Sequence, residues 1–196
     1  MRRLNAVAND VELGMLGRQH AVLALVDVQE RFRPAVFEFG RVVKNACKLV
    51  EGFRFLDVPV IYTEQYPRGL GATASELKLL LEGLEPTEKV SFSCFGEPSF
   101  VEALEKLGRK NLVLAGLESH VCILKTALDA LSRGFRVHVA LDAVSSIRES
   151  DYRIALERLR QSGAFMASSE MLLFQLLDKS TQPEFKRVSE VAKKYA

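Results

Sequence analysis

Cys122 stands where an apolar strand should hand over to a helix. The segment Asn111-Leu-Val-Leu-Ala-Gly116 is a short apolar run ending in glycine, and Leu124, Ala127, Leu128 and Leu131 then recur at helical spacing. A thiol in the first turn of a helix lies in the field of unpaired backbone N–H groups, which favours thiolate, the reactive form. The competing reading is a small buried hydrophobe. Asp27 closes the apolar run Ala21–Val28 and reads as a general base, a metal ligand or a structural cap. Lys89 reads as a charge that neutralises a developing thiolate, or as an ordinary solvated lysine. Together the three make a nucleophile set: the lysine and the helix N-terminus would depress the thiol pKa, and the carboxylate would accept and return the proton. Backbone N–H groups at the helix start would complete an oxyanion hole.

Other polar residues carry less. His120 lies two residues from Cys122 on one helical turn, so the two side chains do not face each other. His138 on an alternating strand and His20 ahead of the first strand read as structural. Glu64, beside Gln65 and Tyr66, is placed to line a pocket, but a lone carboxylate makes a poor metal site. Cys47 falls on a helical apolar stripe and reads as core filler. Cys94 approaches from the loop after the third strand, which leaves a redox-sensing pair with Cys122 as a further reading.

The elements that must position these residues alternate strictly. Ala21–Val28 is apolar throughout, the pattern of a strand covered on both faces. Val43, Ala46, Cys47, Val50 and Phe53 mark a helix, and Pro59-Val-Ile-Tyr-Thr63 a second strand opened by its proline. Leu77, Leu80, Leu81 and Leu84 trace a short helix, and a brief third strand is expected around Glu88–Val90. Phe100–Leu107 is predicted helical, Asn111–Ala115 strand four and Arg136–Leu141 strand five. Tyr152, Ala155, Leu156 and Leu159 give a helix ending near Gly163, followed by strand six at Ala164–Ala167. Glu170–Leu177 is a helix apolar all round. Phe185, Val188, Val191 and Ala192 close the chain with a helix that Pro183 would begin. Such βαβα alternation implies an open parallel sheet with helices on both faces and ligands beyond the carboxyl ends of its strands. Asp27, Glu64, Lys89 and Cys122 all fall at such ends.

Composition sets the bounds. The 196 residues suit one domain, with residues 1–20 as a possible loose arm, and the chain is 48% hydrophobic and 27% charged. Lys+Arg 27 against Asp+Glu 25 gives +2 with no basic block, so nucleic-acid binding gets no electrostatic support. No apolar stretch is long enough to span a bilayer. Three cysteines without paired spacing suit a reducing compartment, and a cytoplasmic address is expected. Arg2, Arg3 and Arg18 leave a mitochondrial leader open, against which Asp10 and Glu12 argue.

Taken in order, these strand ends resemble the isochorismatase-like cysteine hydrolases over essentially the whole chain. The matching pieces are Leu25-Val-Asp27-Val-Gln29-Glu-Arg-Phe32, Glu88-Lys89 before Phe92-Ser93, and Gly116-Leu-Glu-Ser-His-Val-Cys122. The run Thr63-Glu-Gln-Tyr-Pro-Arg-Gly-Leu-Gly71 is similar to the isochorismatase-domain-containing subgroup. The resemblance implies a Rossmann-like three-layer α/β/α fold with a six-stranded, mostly parallel sheet. It implies a triad of Asp27, Lys89 and Cys122, and a cis peptide between Leu117 and Glu118. Substrate or oxyanion contacts would come from Phe32, Glu64, Tyr66, Leu117 and Glu118. In this family the thiolate attacks an amide or imidic carbonyl, and water then releases a thioester acyl-enzyme. Thr63–Pro67 lacks the histidines of the Asp-x-His metal motif of nicotinamidases, so no metal or other cofactor is expected. The vinyl-ether hydrolysis of isochorismatase itself does not rely on a cysteine, and Cys122 argues against it. Glu118 replaces the small residue many relatives have there, which would narrow the pocket or repel anionic substrates. The expectation is a metal-independent cysteine hydrolase of a small amide or imide. The alternative is a catalytically silent binding or interaction module. Its partners would be a small-molecule substrate and further copies of the chain, which the apolar final helices could contact, with no nucleic acid and no membrane.

Overall fold

The computed structural model describes residues 13–196. Six strands form one sheet: β1 Ala21–Val26, β2 Val60–Gln65, β3 Thr87–Lys89, β4 Asn111–Leu117, β5 Arg136–Ser145 and β6 Phe165–Ala167. Their order is β3-β2-β1-β4-β5-β6, and every pairing is parallel. The helices of more than one turn are α1 Phe39–Phe55, α2 Pro98–Leu107, α3 Leu124–Ser132, α4 Glu149–Gln161, α5 Ser169–Gln175 and α6 Phe185–Lys194. None of the helices among the described residues is long and apolar enough to cross a membrane.

The apolar run of β1 is spent on both faces. Leu23 and Leu25 pack in the core that holds Val42, Leu49 and Phe53 of α1, Leu172 and Leu173 of α5 and Val188 of α6. Val22, Ala24 and Val26 pack in the core with Phe100 and Leu104 of α2, Ala127 and Ala130 of α3 and Leu159 of α4. Each fully buried aliphatic or aromatic side chain contributes ~1.5–3 kcal/mol of transfer free energy. This is a three-layer α/β/α arrangement, with α1, α5 and α6 on one face and α2, α3 and α4 on the other. The chain steps outward from β1 through β2 to β3, then returns to lay β4 on the other side of β1. The carboxyl ends of β1 and β4 therefore flank the point where strand order reverses, the crevice where ligands bind in open parallel sheets.

Two expectations need correcting. The helix expected over Leu77–Leu84 is one turn, Ser75–Lys78. Leu77 and Leu81 are buried but Leu79 is 81% exposed, and Gly83 turns the chain at a φ of +82°. The loose arm expected over residues 1–20 lies outside the described residues for 1–12, and residues 13–20 are docked. Leu16 is buried and its N–H donates to Gln175 Oε1, while Arg18 donates to the Leu56 carbonyl and to Glu184. In α5 and α6, Leu172, Leu173, Val188 and Val191 are buried in this chain's own core, while Met171 is 53% exposed.

His138 is structural, as its place on β5 suggested. It is buried, its ring stacks on Phe165 at 5.1 Å, and Nε2 has no hydrogen-bond partner. Burial, with a smaller contribution from Arg136, pushes its pKa down to about 4. The unfolded chain therefore takes up this proton first. The stability tied to neutral His138 is complete above ~6.5 and drains away as pH falls toward ~4. Urea unfolding of wild type and His138→Leu across that window should diverge by up to ~3 kcal/mol, wild type losing more. Parallel curves would show that the ring is not held neutral.

Candidate active site

Asp27 is the first residue beyond β1 and adopts a φ of 52°, a left-handed conformation that aspartate tolerates better than most residues. Its N–H donates to the Thr63 carbonyl, and Thr63 Oγ1 donates to Asp27 Oδ1 at 2.7 Å, so β2 fixes the carboxylate at both ends. Lys89 is the last residue of β3, with a fully buried side chain. Its Nζ lies 2.7 Å from Asp27 Oδ2 and 3.5 Å from Cys122 Sγ. The ammonium also donates to Gln65 Oε1 at 2.6 Å and to the carbonyls of Ser91 and Phe92 at 3.1 and 3.4 Å. Its contact with Oδ2 is one of charge: that oxygen receives no aligned hydrogen bond from the described residues. It is left open to a proton from the neighbouring thiol.

Cys122 reaches this pair through a local irregularity. β4 runs two residues past the expected end, the Leu117–Glu118 peptide is cis, and a single π-helical turn, Ser119–Ile123, precedes α3. Gly116 makes the approach of β4 to β1 possible: at its φ of +119°, a Cβ would sit 1.9 Å from the Val26 carbonyl oxygen. His120 does not join the group, since its Nδ1 lies 2.9 Å from Ser146 Oγ.

Burial adds a contribution to the electrostatics that opposes the fields of the lysine and the helix start. Burial pushes the Cys122 thiol up to about 12, and the Asp27 carboxylate raises it further than Lys89 lowers it. Desolvation and Asp27 both favour the thiol over the thiolate, and Lys89 opposes them. For Lys89, burial favours the neutral amine, but Asp27 and Cys122 outweigh it and the pKa is raised. Cys94 is buried and pushed up to about 11 by desolvation, which gives the redox reading an inert partner.

A cavity of about 350 Å³ opens above the thiol. Asp27 and Cys122 form its floor, Phe32, Leu70, Phe92, Leu117 and Val121 its apolar wall, and Gln65 and Glu118 its polar edge. Of the residues expected to touch substrate, Phe32, Leu117 and Glu118 line this cavity; Glu64 and Tyr66 do not. Glu64 is buried and turned away, its Oε1 accepting from the N–H and Oγ1 of Thr73 at 2.7 Å each. It pins the loop that carries Leu70. Tyr66 is 55% exposed and lines a separate surface groove with Arg68 and Glu88. Two residues gained a role only from the structure. Gln29, fully buried, accepts from Gln65 N–H and donates to the carbonyls of Gln65 and Gly71, and Gln65 in turn holds Lys89. Gln29 lies two residues after Asp27 in the matching motif, and Gln65 pairs with Lys89 in strand register. Among the described residues, no group of three or more His, Cys, Asp or Glu side chains converges to hold a metal.

Comparison with known proteins agrees with this architecture. The family model for the isochorismatase domain matches residues 21–171. Isochorismatase domain-containing protein 2 of Danio rerio is 44% identical over 180 residues, 91% of this chain and 90% of its own. The human protein of that name is 42% identical over 185 residues, covering 94% and 88%. A Caenorhabditis elegans structure described as the MAR1 ribonuclease superposes with a TM-score of 0.85 at 36% identity, over 90% of this chain and 91% of that one. With the domain model spanning every strand, and relatives of this identity aligned over nearly the full length, the chain belongs to the isochorismatase family and has its hydrolase fold.

Proposed function

We propose that this chain is a metal-independent cysteine hydrolase acting on a small amide or imide C–N bond. The observation that carries the reading is the placement of one buried ammonium, Lys89, against both Asp27 Oδ2 and Cys122 Sγ at the floor of a cavity. Burial and Asp27 both favour the thiol, so deprotonation and attack are coupled in this reading. Asp27 takes the proton as Sγ bonds to the carbonyl carbon, and Lys89 keeps the charge of the site balanced throughout. The backbone N–H groups of Cys122 and of the cis-peptide neighbour hold the oxyanion. As the tetrahedral adduct collapses the C–N bond breaks, and the leaving nitrogen takes the proton back from Asp27. A thioester remains. Water, deprotonated by Asp27, attacks it, releasing the acid and returning the proton to sulfur.

The test is a panel of small primary amides, ureides and cyclic imides, quenched in acid and followed by peptide-resolved mass spectrometry. A hydrolysed compound whose acyl mass appears on the Cys122 peptide is the expected result. Turnover without that adduct, and without dependence on Cys122, would end the reading. RNA oligonucleotides belong in the panel because the worm relative is described as a ribonuclease. None of the cavity's lining residues is a cation that would meet a phosphodiester.

A second reading, a binding module that holds a ligand without turning it over, draws on the mostly apolar lining of the cavity. It predicts saturable binding and an unmodified Cys122 across the panel. Assembly of several copies is retained in the proposal. Exposed apolar side chains, among them Val90, Phe92, Ile147, Ile154 and Met171, offer surface for it.

A further inference from the structure

The polar groups around the cavity are nearly all spent. Asp27 Oδ1 accepts from Thr63, and Oδ2, 2.7 Å from the Lys89 ammonium, is left for the thiol proton. Gln65 gives Oε1 to Lys89 and Nε2 to the Val90 carbonyl. Glu118 differs. Its Oε2 accepts from the Ile147 N–H at 2.7 Å, which fixes the carboxylate, while Oε1 has no hydrogen-bond partner among the described residues. Glu118 is half-buried and lines the cavity, so Oε1 is reached from solvent and is free to meet an N–H that enters.

The charges point the same way. Lys89 offsets Asp27, so the lining with its buried ammonium carries one uncompensated negative charge, that of Glu118. The cations outside are exposed, and Arg148, next in the chain to the Ile147 that Glu118 holds, has an 80% exposed side chain that pairs with Asp151. Lys125 lies over the outer Phe92 ring at 5.9 Å, and Arg31 and Arg68 line a neighbouring groove. A charge at the mouth of a low-dielectric cavity acts far more strongly on what enters than the same charge on an open surface.

We propose that Glu118 is the specificity-determining residue of this cavity, accepting an N–H from the substrate and excluding substrates that carry negative charge. The substrate class is thereby narrowed to a small amide or ureide with an N–H-bearing, neutral or cationic end and an apolar body. This rests on the reading that Cys122 is the reacting group of the cavity, but its test needs no turnover.

Iodoacetamide and iodoacetate have nearly the same shape and differ in an N–H₂ against a carboxylate. Each alkylates Cys122 by forming a sulfur–carbon bond and expelling iodide, the thiol proton passing to Asp27 or solvent. Their rates at Cys122 are measured by peptide-resolved mass spectrometry in native protein, and in urea as the reference without a cavity. The native protein should prefer iodoacetamide by about tenfold or more beyond the unfolded reference. In Glu118→Gln, which keeps an acceptor for the Ile147 N–H, the excess should collapse. Glu102→Gln, the same change of net charge at an exposed position of α2, should leave it intact. No excess in wild type, an excess undiminished in Glu118→Gln, or no labelling of Cys122 by either reagent each overturns the proposal. Should Glu118→Gln fail to fold, aminoethyl and sulfonatoethyl methanethiosulfonates on wild type decide instead, with a preference for the cation expected and its absence fatal. A panel without turnover but with charge-selective labelling ends the hydrolase reading alone. Equal turnover of a carboxylate-bearing amide by wild type and Glu118→Gln ends this one alone.

Discussion

Cys122→Ala is expected to lower turnover of the panel's best amide by about ten-thousand-fold or more, since a residue that forms the covalent intermediate has no substitute nearby. Cys94 cannot take over. It is buried and bonded through its N–H to Thr126, and it does not line the cavity. The loss should come without unfolding. Removing one sulfur at the cavity floor costs about 1 kcal/mol of packing, so the urea midpoint should move little. Turnover and urea denaturation of the same preparation separate the two effects. Activity close to wild type in Cys122→Ala would remove the thiol from the mechanism, and the acyl adduct with it. Lost activity together with a collapsed midpoint would show instead that Cys122 holds the fold.

Lys89→Met is expected to damage both activity and stability. The methionine side chain fills similar space, but Asp27, 1% exposed, is left as a buried carboxylate with no opposing charge. Breaking one partner of a buried pair costs ~3–5 kcal/mol, most of it the burden of the stranded charge. The double variant Asp27→Asn with Lys89→Met removes that charge as well and should recover most of the stability while remaining inactive. This non-additivity is the signature to seek in a denaturant cycle of the four proteins. If Lys89→Met unfolds at the wild-type midpoint, the 2.7 Å contact is not an ion pair in solution. If the double variant turns over substrate, proton transfer through Asp27 is not the route. Gln65 gives a milder control: it holds the ammonium by a neutral oxygen, so its loss should slow turnover without stranding a charge.

The resting state of the thiol bears on how these experiments are read. With Cys122 pushed up to about 12 by burial and by Asp27, the alkylation rate should climb with pH well past the range of an ordinary free thiol. A high resting pKa does not argue against nucleophilic attack when the base sits beside the sulfur. The proton moves as the bond forms, and burial strengthens the field of Lys89 on the developing charge. It does mean that fast labelling at neutral pH is not the mark of this site.

Much was written locally. A strand apolar on both faces, helices with side chains at three- and four-residue spacing, and strict alternation of the two are properties of short segments. From them the parallel sheet, its layers and the placing of Asp27, Lys89 and Cys122 at strand ends followed. The motifs around those three residues carried the family. What the residues do to one another was not local. Strand register puts Gln65 opposite Lys89, and Gln29 clamps Gln65 from the end of another strand. Glu64 sits one position from Gln65, yet alternation sends its side chain to Thr73 and away from the cavity. The thiol's pKa depends on everything packed around it, and a helix start read from sequence carries neither its burial nor the nearness of Asp27. Residues 13–20 looked like an arm because their few apolar side chains show no period, and the contacts that dock Leu16 and Arg18 come from distant segments: Gln175, Leu56, Glu184 and Arg109. By itself the sequence determined the elements and which reactive groups their ends carry, because periodicity and burial pattern are short-range. Only the tertiary structure decided distances, protonation and which polar group remains free to meet a substrate, because each of these sums contributions from segments far apart in the chain.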